Sequence, residues 1–181
     1  MELYEKTLNE RYAYHGRIIN LRVDDVELPD GRRSDREIIE HNGGVCVVPL
    51  DNDGNIYCVR QFRSPYKEVL LEIPAGKRDG DEDPLTCGVR ELKEEVGASA
   101  KNIVPLGKLY PTPGYCAEII WMYLATDLSF SEQQLDDGEF LNVEKISLEK
   151  AVDMILSGEI TDAKTQTAVL KVKLMKDKGL C

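Results

Sequence analysis

Residues 84–96, "PLTCGVRELKEEV", are where the chain changes period. Leu85, Val89, Leu92 and Val96 recur at three- and four-residue spacing, which predicts one apolar stripe along a helix. Asp83 suits the N-cap, Pro84 the first helical position and Gly97 the stop. A helix delimited this firmly, in an order of strands, helix, strands and helices, points to an α+β layout or a three-layer sandwich.

Before the helix, "GRIINLRVDDVELP" alternates into Asp30-Gly31, a hairpin turn, and "RRSDREIIEH" resumes beyond it. "GGVCVVPL" is almost continuously apolar and predicts a buried central strand. "DNDG" turns the chain into the strands "NIYCVRQFR" and "KEVLLEIP". After the helix come strand candidates "NIVPLGKLY" and "EIIWMYLAT", joined by the stiff turn "PTPGYCA". An acidic loop, "SFSEQQLDDGE", leads to the strand "FLNVEKIS" and two helices, "LEKAVDMILSG" and "DAKTQTAVLKVKLMKDKG". Ala168, Val169, Val172 and Met175 mark the inner side of the last helix.

Glu91, Glu94 and Glu95 fall within an arc of roughly 100° of the first helix, at about 100° per residue. Like charges at i,i+4 cost only a few tenths of a kcal/mol, so a solvated acidic face is a tenable reading. Three details favour another. Gly88 lies one turn before Glu91, where a glycine costs about 1 kcal/mol relative to alanine unless another group must come close. The helix is reached through the Gly- and Asp-rich "GKRDGDED", with Glu82 near its start. Arg90 stands four residues before Glu94, placed to neutralise one carboxylate and leave the others free. Clustered carboxylates with room above them form a hard-oxygen site for Mg²⁺ or Mn²⁺, ions that keep several waters and take substrate phosphates.

Composition narrows the class. A chain of 181 residues fits one domain with a small appendage. It has no run of about 18 apolar residues, which argues against a membrane span, and its polar, acidic start resembles no targeting signal. Five cysteines with no CxxC pair argue against a disulfide framework or zinc site and suit a cytoplasmic location. A net charge of −10 argues against general nucleic-acid binding. It leaves open an anionic substrate, provided a cation and local arginines reverse the sign inside one cleft. His15 and His41 are isolated, and no P-loop or Ser-His-Asp pattern is present.

The order Gly76, five residues, Glu82, seven residues, Arg90-Glu91-Leu92, one residue, Glu94-Glu95, one residue, Gly97 resembles the signature box of the Nudix hydrolases. Ala98 departs from it where a bulkier aliphatic is usual. The resemblance implies an α+β fold of the Nudix type: an α/β/α sandwich with a mixed β-sheet and an N-terminal β-hairpin extension. Residues 1–41 would be a β-rich dimerisation segment and 42–181 the hydrolase domain, with the box at 76–98. It implies hydrolysis of a nucleoside diphosphate linked to another moiety, with two or three Mg²⁺ (or Mn²⁺) ions. Glu91 and Glu95 would be metal ligands, Glu94 a further ligand or assistant, and the Ala75 carbonyl part of the inner shell. Gly76, Glu82, Arg90 and Gly97 would shape loop and helix.

The flanks "VRQFRSPYKEVLLEIPAGK", Pro113 within "PTPG", "DDGEF" and "EITDAKTQTAV" resemble the ADP-ribose pyrophosphatase branch. That implies cleavage of ADP-ribose to AMP and ribose 5-phosphate by a homodimer, with some contacts from the second chain. A GDP-mannose or other nucleotide-sugar pyrophosphatase is the near alternative. A non-catalytic nucleotide sensor is the alternative of a different class, although such a protein should have lost box carboxylates. Arg63 and Arg36 are the candidate phosphate or ribose contacts, and Arg60, three residues from Arg63, should diverge from it. Thr112 and Gly114 would touch substrate through hydroxyl or backbone. Glu139, with Asp137 as its neighbour, would ligate metal or act as base, giving Glu94, Glu95 and Glu139 as the catalytic set.

Overall fold

The computed structural model describes residues 3–181; Met1 and Glu2, the start of the polar N-terminal stretch, lie outside them. The chain forms two compact units. The first comprises the described residues up to Gly43 together with Tyr110–Ile119. Its sheet runs β1 (Lys6–His15), β2 (Asn20–Glu27), β3 (Arg33–Glu40), all antiparallel. The expected hairpin turn is present, with Gly31 at φ +83° and its N–H donating to the Leu28 carbonyl. The extension is nevertheless a three-stranded sheet rather than a hairpin. β1 carries no apolar alternation because all ten of its residues are exposed, and its backbone pairing to β2 makes it a strand. The "PTPGYCA" turn lies along β3: Ile39 N–H donates to the Tyr115 carbonyl and Ala117 N–H to the Ile39 carbonyl, both at 2.8 Å.

The second unit comprises Gly44–Leu109 and Ile120–Cys181. β4 (Gly44–Pro49) runs parallel to β9 (Ile120–Phe130) and antiparallel to β7 (Ala75–Lys77); β8 (Ala98–Leu109) pairs with β9 on the outside. A second, antiparallel sheet has the order β10 (Leu141–Ser147), β5 (Asn55–Arg63), β6 (Glu68–Glu72). All six residues of β4 are buried because helical layers cover both faces. Val45 and Val47 join a core with Cys87, Leu92 and Val96 of α1 (Pro84–Val96). Cys46 and Val48 join a core with Ala168, Val169 and Val172 of α3 (Ala163–Asp177) and Leu148, Ala151 and Met154 of α2 (Leu148–Leu156). This unit is an α/β/α sandwich around a mixed sheet. Among the described residues no helix is long and apolar enough to cross a membrane.

The ends of α1 follow the sequence. The Asp83 side chain accepts from the N–H groups of Leu85 (3.0 Å) and Thr86 (3.1 Å), and Gly97 closes the helix at φ +69°. Its inner face does not. Leu85 and Val89 are exposed, whereas Cys87, Gly88, Glu91, Leu92, Glu95 and Val96 are buried. Gly88 supplies the reason: a Cβ there would stand 3.0 Å from Val45 Cγ1 and 3.4 Å from Val47 Cγ2. The close approach that Gly88 permits is that of β4, and it turns two of the three glutamates inward.

Candidate active site

β7 and α1 build the site together. A Cβ on Gly76 would lie 1.8 Å from Glu91 Oε1, so the Glu91 carboxylate occupies the space a side chain at 76 would fill. One residue earlier, Ala75 N–H donates to Glu95 Oε2 at 2.8 Å. The β7 backbone is thus the floor for both carboxylates, which are 8% and 1% exposed.

Arg90 does more than neutralise one acid. Its Nη1 donates to Glu91 Oε1 and Glu94 Oε2, both at 2.8 Å. Nε and Nη2 grip Glu82 at 3.1 and 3.0 Å, and Nη2 also reaches the Lys77 carbonyl at 3.2 Å. Three carboxylates therefore share one guanidinium, which corrects the expectation that only one would be engaged. Arg78 Nε donates to the Glu82 carbonyl at 2.7 Å, fastening the loop before the helix.

The loop at 131–140 is stitched to the other end of α1. Ser131 N–H donates to the Gly97 carbonyl (2.7 Å), Gln134 N–H to the Glu94 carbonyl (3.1 Å) and Gln133 Nε2 to the Glu95 carbonyl (2.5 Å). Glu139 sits at its far end, where Gln61 Nε2 donates to Oε1 at 3.3 Å.

The charges divide into two kinds. Hydrogen bonds from Arg90 hold Glu82 down at about 2, a permanently ionised strut. Burial pushes Glu91 up to about 7 against the pull of Arg90, and the charges of Glu94 and Glu139 add to the rise. Burial likewise pushes Glu95 up to about 8, with the Ala75 N–H opposing and Glu91 and Glu139 adding. Glu91, Glu95 and Glu139 therefore act on one another, and the negative form of each inner carboxylate lacks sufficient compensation within the chain.

Among the described residues no three His, Cys, Asp or Glu groups stand as a ready ligand set. Glu91 and Glu94 are drawn onto Arg90, and Glu95 onto the Ala75 N–H. The donor chemistry nonetheless fits a hard divalent cation: every acidic donor is an oxygen, and two sit buried at a charge cost such an ion would relieve.

Arg63 ends β5 with Nε and Nη2 on the two oxygens of Glu72, at 2.7 and 2.8 Å. Its charge and that of Glu95 also act on each other. Arg60 diverges as expected and pairs with Glu144 on β10. Arg36 is held by both oxygens of Glu5, at 2.8 and 2.6 Å, and belongs to the first unit with Thr112 and Gly114. The Thr112 carbonyl accepts from Cys116 N–H at 3.0 Å, and a Cβ on Gly114 would meet open space. The carboxylates, Gly76, Arg90 and Arg63 are grouped in the second unit. Glu72 and Lys164, which bond to each other, are not among the residues the sequence singles out. The available signal was an acid inside the otherwise apolar "VLLEIPA" and a lysine just past a helix cap.

The NUDIX domain family matches residues 40–167, and the nucleoside diphosphate sugar hydrolase N-terminal domain matches residues 5–39. The ADP-ribose pyrophosphatase of Bacillus subtilis (strain 168) is 41% identical over 174 residues, covering 95% of this chain and 94% of that protein. The methanol dehydrogenase activator of Bacillus methanolicus is 39% identical with the same coverage. The ADP-ribose pyrophosphatase of Mycobacterium tuberculosis is 34% identical, covering 92% and 82%. A crystal structure of an ADP compounds hydrolase shares the fold, with a TM-score of 0.86 over 100% of both chains at 24% identity. The box residues are gathered around Arg90 and the bare Gly76 backbone, and the family match spans most of the chain; the protein belongs to the Nudix hydrolases.

Proposed function

We propose that the protein hydrolyses the pyrophosphate bond of ADP-ribose, giving AMP and ribose 5-phosphate. The observation that carries this reading is the buried Glu91–Glu95 pair on the Ala75–Gly76 backbone, in a chain 41% identical to an ADP-ribose pyrophosphatase over 95% of its length. Glu91, Glu95, Glu94 and Glu139, with the Ala75 carbonyl, would hold two or three Mg²⁺ or Mn²⁺ ions. Bound there, a divalent cation supplies Lewis acidity toward the diphosphate and lowers the pKa of a bound water. The chain's own groups do the rest. Arg63 contacts the diphosphate or ribose, and Glu139, with Asp137 as its alternative, either ligates metal or takes the proton of the attacking water. Arg36, Thr112 and Gly114, in the first unit, are further candidate substrate contacts. Arg90 and Glu82 keep the helix and its preceding loop in place.

The first unit serves as the dimerisation segment of a homodimer: β1 is an exposed edge strand, and Tyr12 and Tyr14 stand in solvent. Five free cysteines suit the reducing cytoplasm.

The test is turnover of a panel of nucleotide sugars with Mg²⁺, and its loss in EDTA. ADP-ribose should give the highest kcat/KM. A higher value for GDP-mannose would transfer the assignment to that substrate, the one named for the GDP-mannose pyrophosphatase of Yersinia enterocolitica, which is 29% identical over 72% of this chain. Tight binding without turnover would make the protein a sensor, a reading the complete set of box carboxylates disfavours.

A further inference from the structure

Glu72 does not serve Arg63 alone. It is 1% exposed on β6, and its carboxylate receives Arg63 Nε and Nη2 and also Lys164 Nζ. Lys164 lies in the first turn of α3, its side chain 12% exposed, and also bonds Asp162 Oδ1 at 3.0 Å. Thr165, fully buried, locks that turn to the strand: its Oγ1 accepts from Ile73 N–H at 3.0 Å and donates to Asp162 Oδ2 at 2.6 Å. The stretch Asp162-Ala163-Lys164-Thr165 thus presents the helix cap, a cation and a hydroxyl to Glu72 and Ile73. Burial alone would push the Glu72 carboxyl up; the two cations together hold it below the ordinary range. Buried ion networks of this kind contribute little net stability compared with apolar packing. What this one does is fix the orientation of Arg63, the cation at its end whose charge reaches Glu95.

We infer that Lys164 is a positioning residue for the substrate's diphosphate, acting through Glu72 on Arg63; the inference rests on the reading of Arg63 as a diphosphate contact. Glu72 Oε2 is shared between Lys164 and Arg63, so Glu72 spends its charge on two cations and Arg63 keeps part of its field for an anionic ligand. The bonds to Glu72 occupy Arg63 Nε and Nη2 and leave Nη1 for that ligand. Without Lys164, the whole Glu72 charge would fall on Arg63, and Oε2 would lose its anchor on α3. Arg63 meets the diphosphate alike before and during reaction, so the loss should appear in KM rather than in kcat.

The test uses the full chain with Lys164→Met, Lys164→Arg, Arg63→Ala and the Lys164→Met/Arg63→Ala pair, assayed with ADP-ribose and Mg²⁺. Lys164→Met should raise KM about tenfold, the scale of one weakened charge-assisted hydrogen bond, with kcat held within about threefold. Lys164→Arg should recover most of the loss, and Lys164→Met should add nothing to KM once Arg63 is alanine. An unchanged KM, a fall in kcat alone, or the same rise in KM in the Arg63→Ala background would overturn the inference. If Lys164→Met shows no cooperative melting transition, Lys164→Gln is read by the same criteria. Titration of the same proteins with ADP separates the two layers of argument. A wild type that binds ADP but leaves ADP-ribose intact, with the affinity pattern above, sinks the proposed activity and upholds the role of Lys164. A wild type that neither binds ADP nor turns over ADP-ribose overturns both.

Discussion

Glu95 Oε2 takes a single backbone hydrogen bond, and the rest of the side chain is enclosed. Glu95→Gln keeps the volume and an acceptor for the Ala75 N–H while removing the charge. Burial disfavours that charge, so the melting temperature in EDTA should be equal to or above that of the wild type. Turnover should nevertheless fall by several orders of magnitude, roughly 10³-fold or more, as expected when a metal-binding group is lost. Near-normal turnover would refute a metal role for Glu95. Gly76 is constrained in the opposite way, by space rather than charge. A methyl group there would meet the Glu91 carboxylate at 1.8 Å, so Gly76→Ala must displace Glu91 or β7. Its kcat should drop roughly 10²-fold, as for a misplaced catalytic group, with far-ultraviolet circular dichroism unchanged. An active Gly76→Ala protein would mean that Glu91 has freedom the packing does not show.

At the scale of elements, the C-terminus of α1 and the 131–140 loop stand or fall together. Gly97 is left-handed at φ +69°, and a Cβ there would lie 2.3 Å from the Ser131 carbonyl oxygen. Gly97→Ala should destabilise by about 1–3 kcal/mol, from backbone strain plus the clash. It should also lower kcat, because the loop that carries Glu139 hangs on that carbonyl and its neighbours. Thermal melting and steady-state rates would show whether the two losses travel together. The turn between β4 and β5 offers a pH test. Burial pushes Asp51 up, yet hydrogen bonds from Lys145 and from the Asn55 N–H and side chain outweigh it and lower the carboxyl from 3.8 to about 2. A carboxyl depressed in the folded state contributes stability above its unfolded value and loses it as the pH falls. Wild-type stability should therefore decline more steeply than that of Asp51→Asn between 3.8 and about 2. Parallel acid melting curves would remove Asp51 from the account. What the sequence disclosed about these elements depended on range. The caps of α1 and the Asp30-Gly31 turn are local chemistry and were readable. The inner face of α1 was not, because Gly88 against β4 decides it over the apolar stripe of Leu85 and Val89. β1 was hidden because an all-exposed strand has no hydrophobic period. Glu72 and Lys164, 92 residues apart, become partners only in the folded chain, and so does the threefold hold of Arg90 on Glu82, Glu91 and Glu94.

Over the whole molecule, a net charge of −10 opposes the approach of a diphosphate, while Arg63, Arg90 and any bound cation favour it close in. The two influences have different reach. The screening length is about 30 Å at about 10 mM salt and about 8 Å at about 150 mM. Added salt therefore weakens the distant repulsion of the acidic surface more than the short contacts of the site. If the surface charge governs encounter, kcat/KM for ADP-ribose at constant free Mg²⁺ should rise roughly two- to threefold over that range and then level off. The free-ion concentration must be held fixed, since chloride and sodium otherwise alter metal occupancy and mimic the effect. A steady fall with salt would place attraction by the local cations above the repulsion of the rest, with the field at the cleft reversed well beyond contact distance. Neutralising exposed acids on the α2 side of the sheet, such as Glu149 or Glu159, would then leave the rate unaltered, whereas under the first outcome each should raise it slightly at low salt and not at high salt.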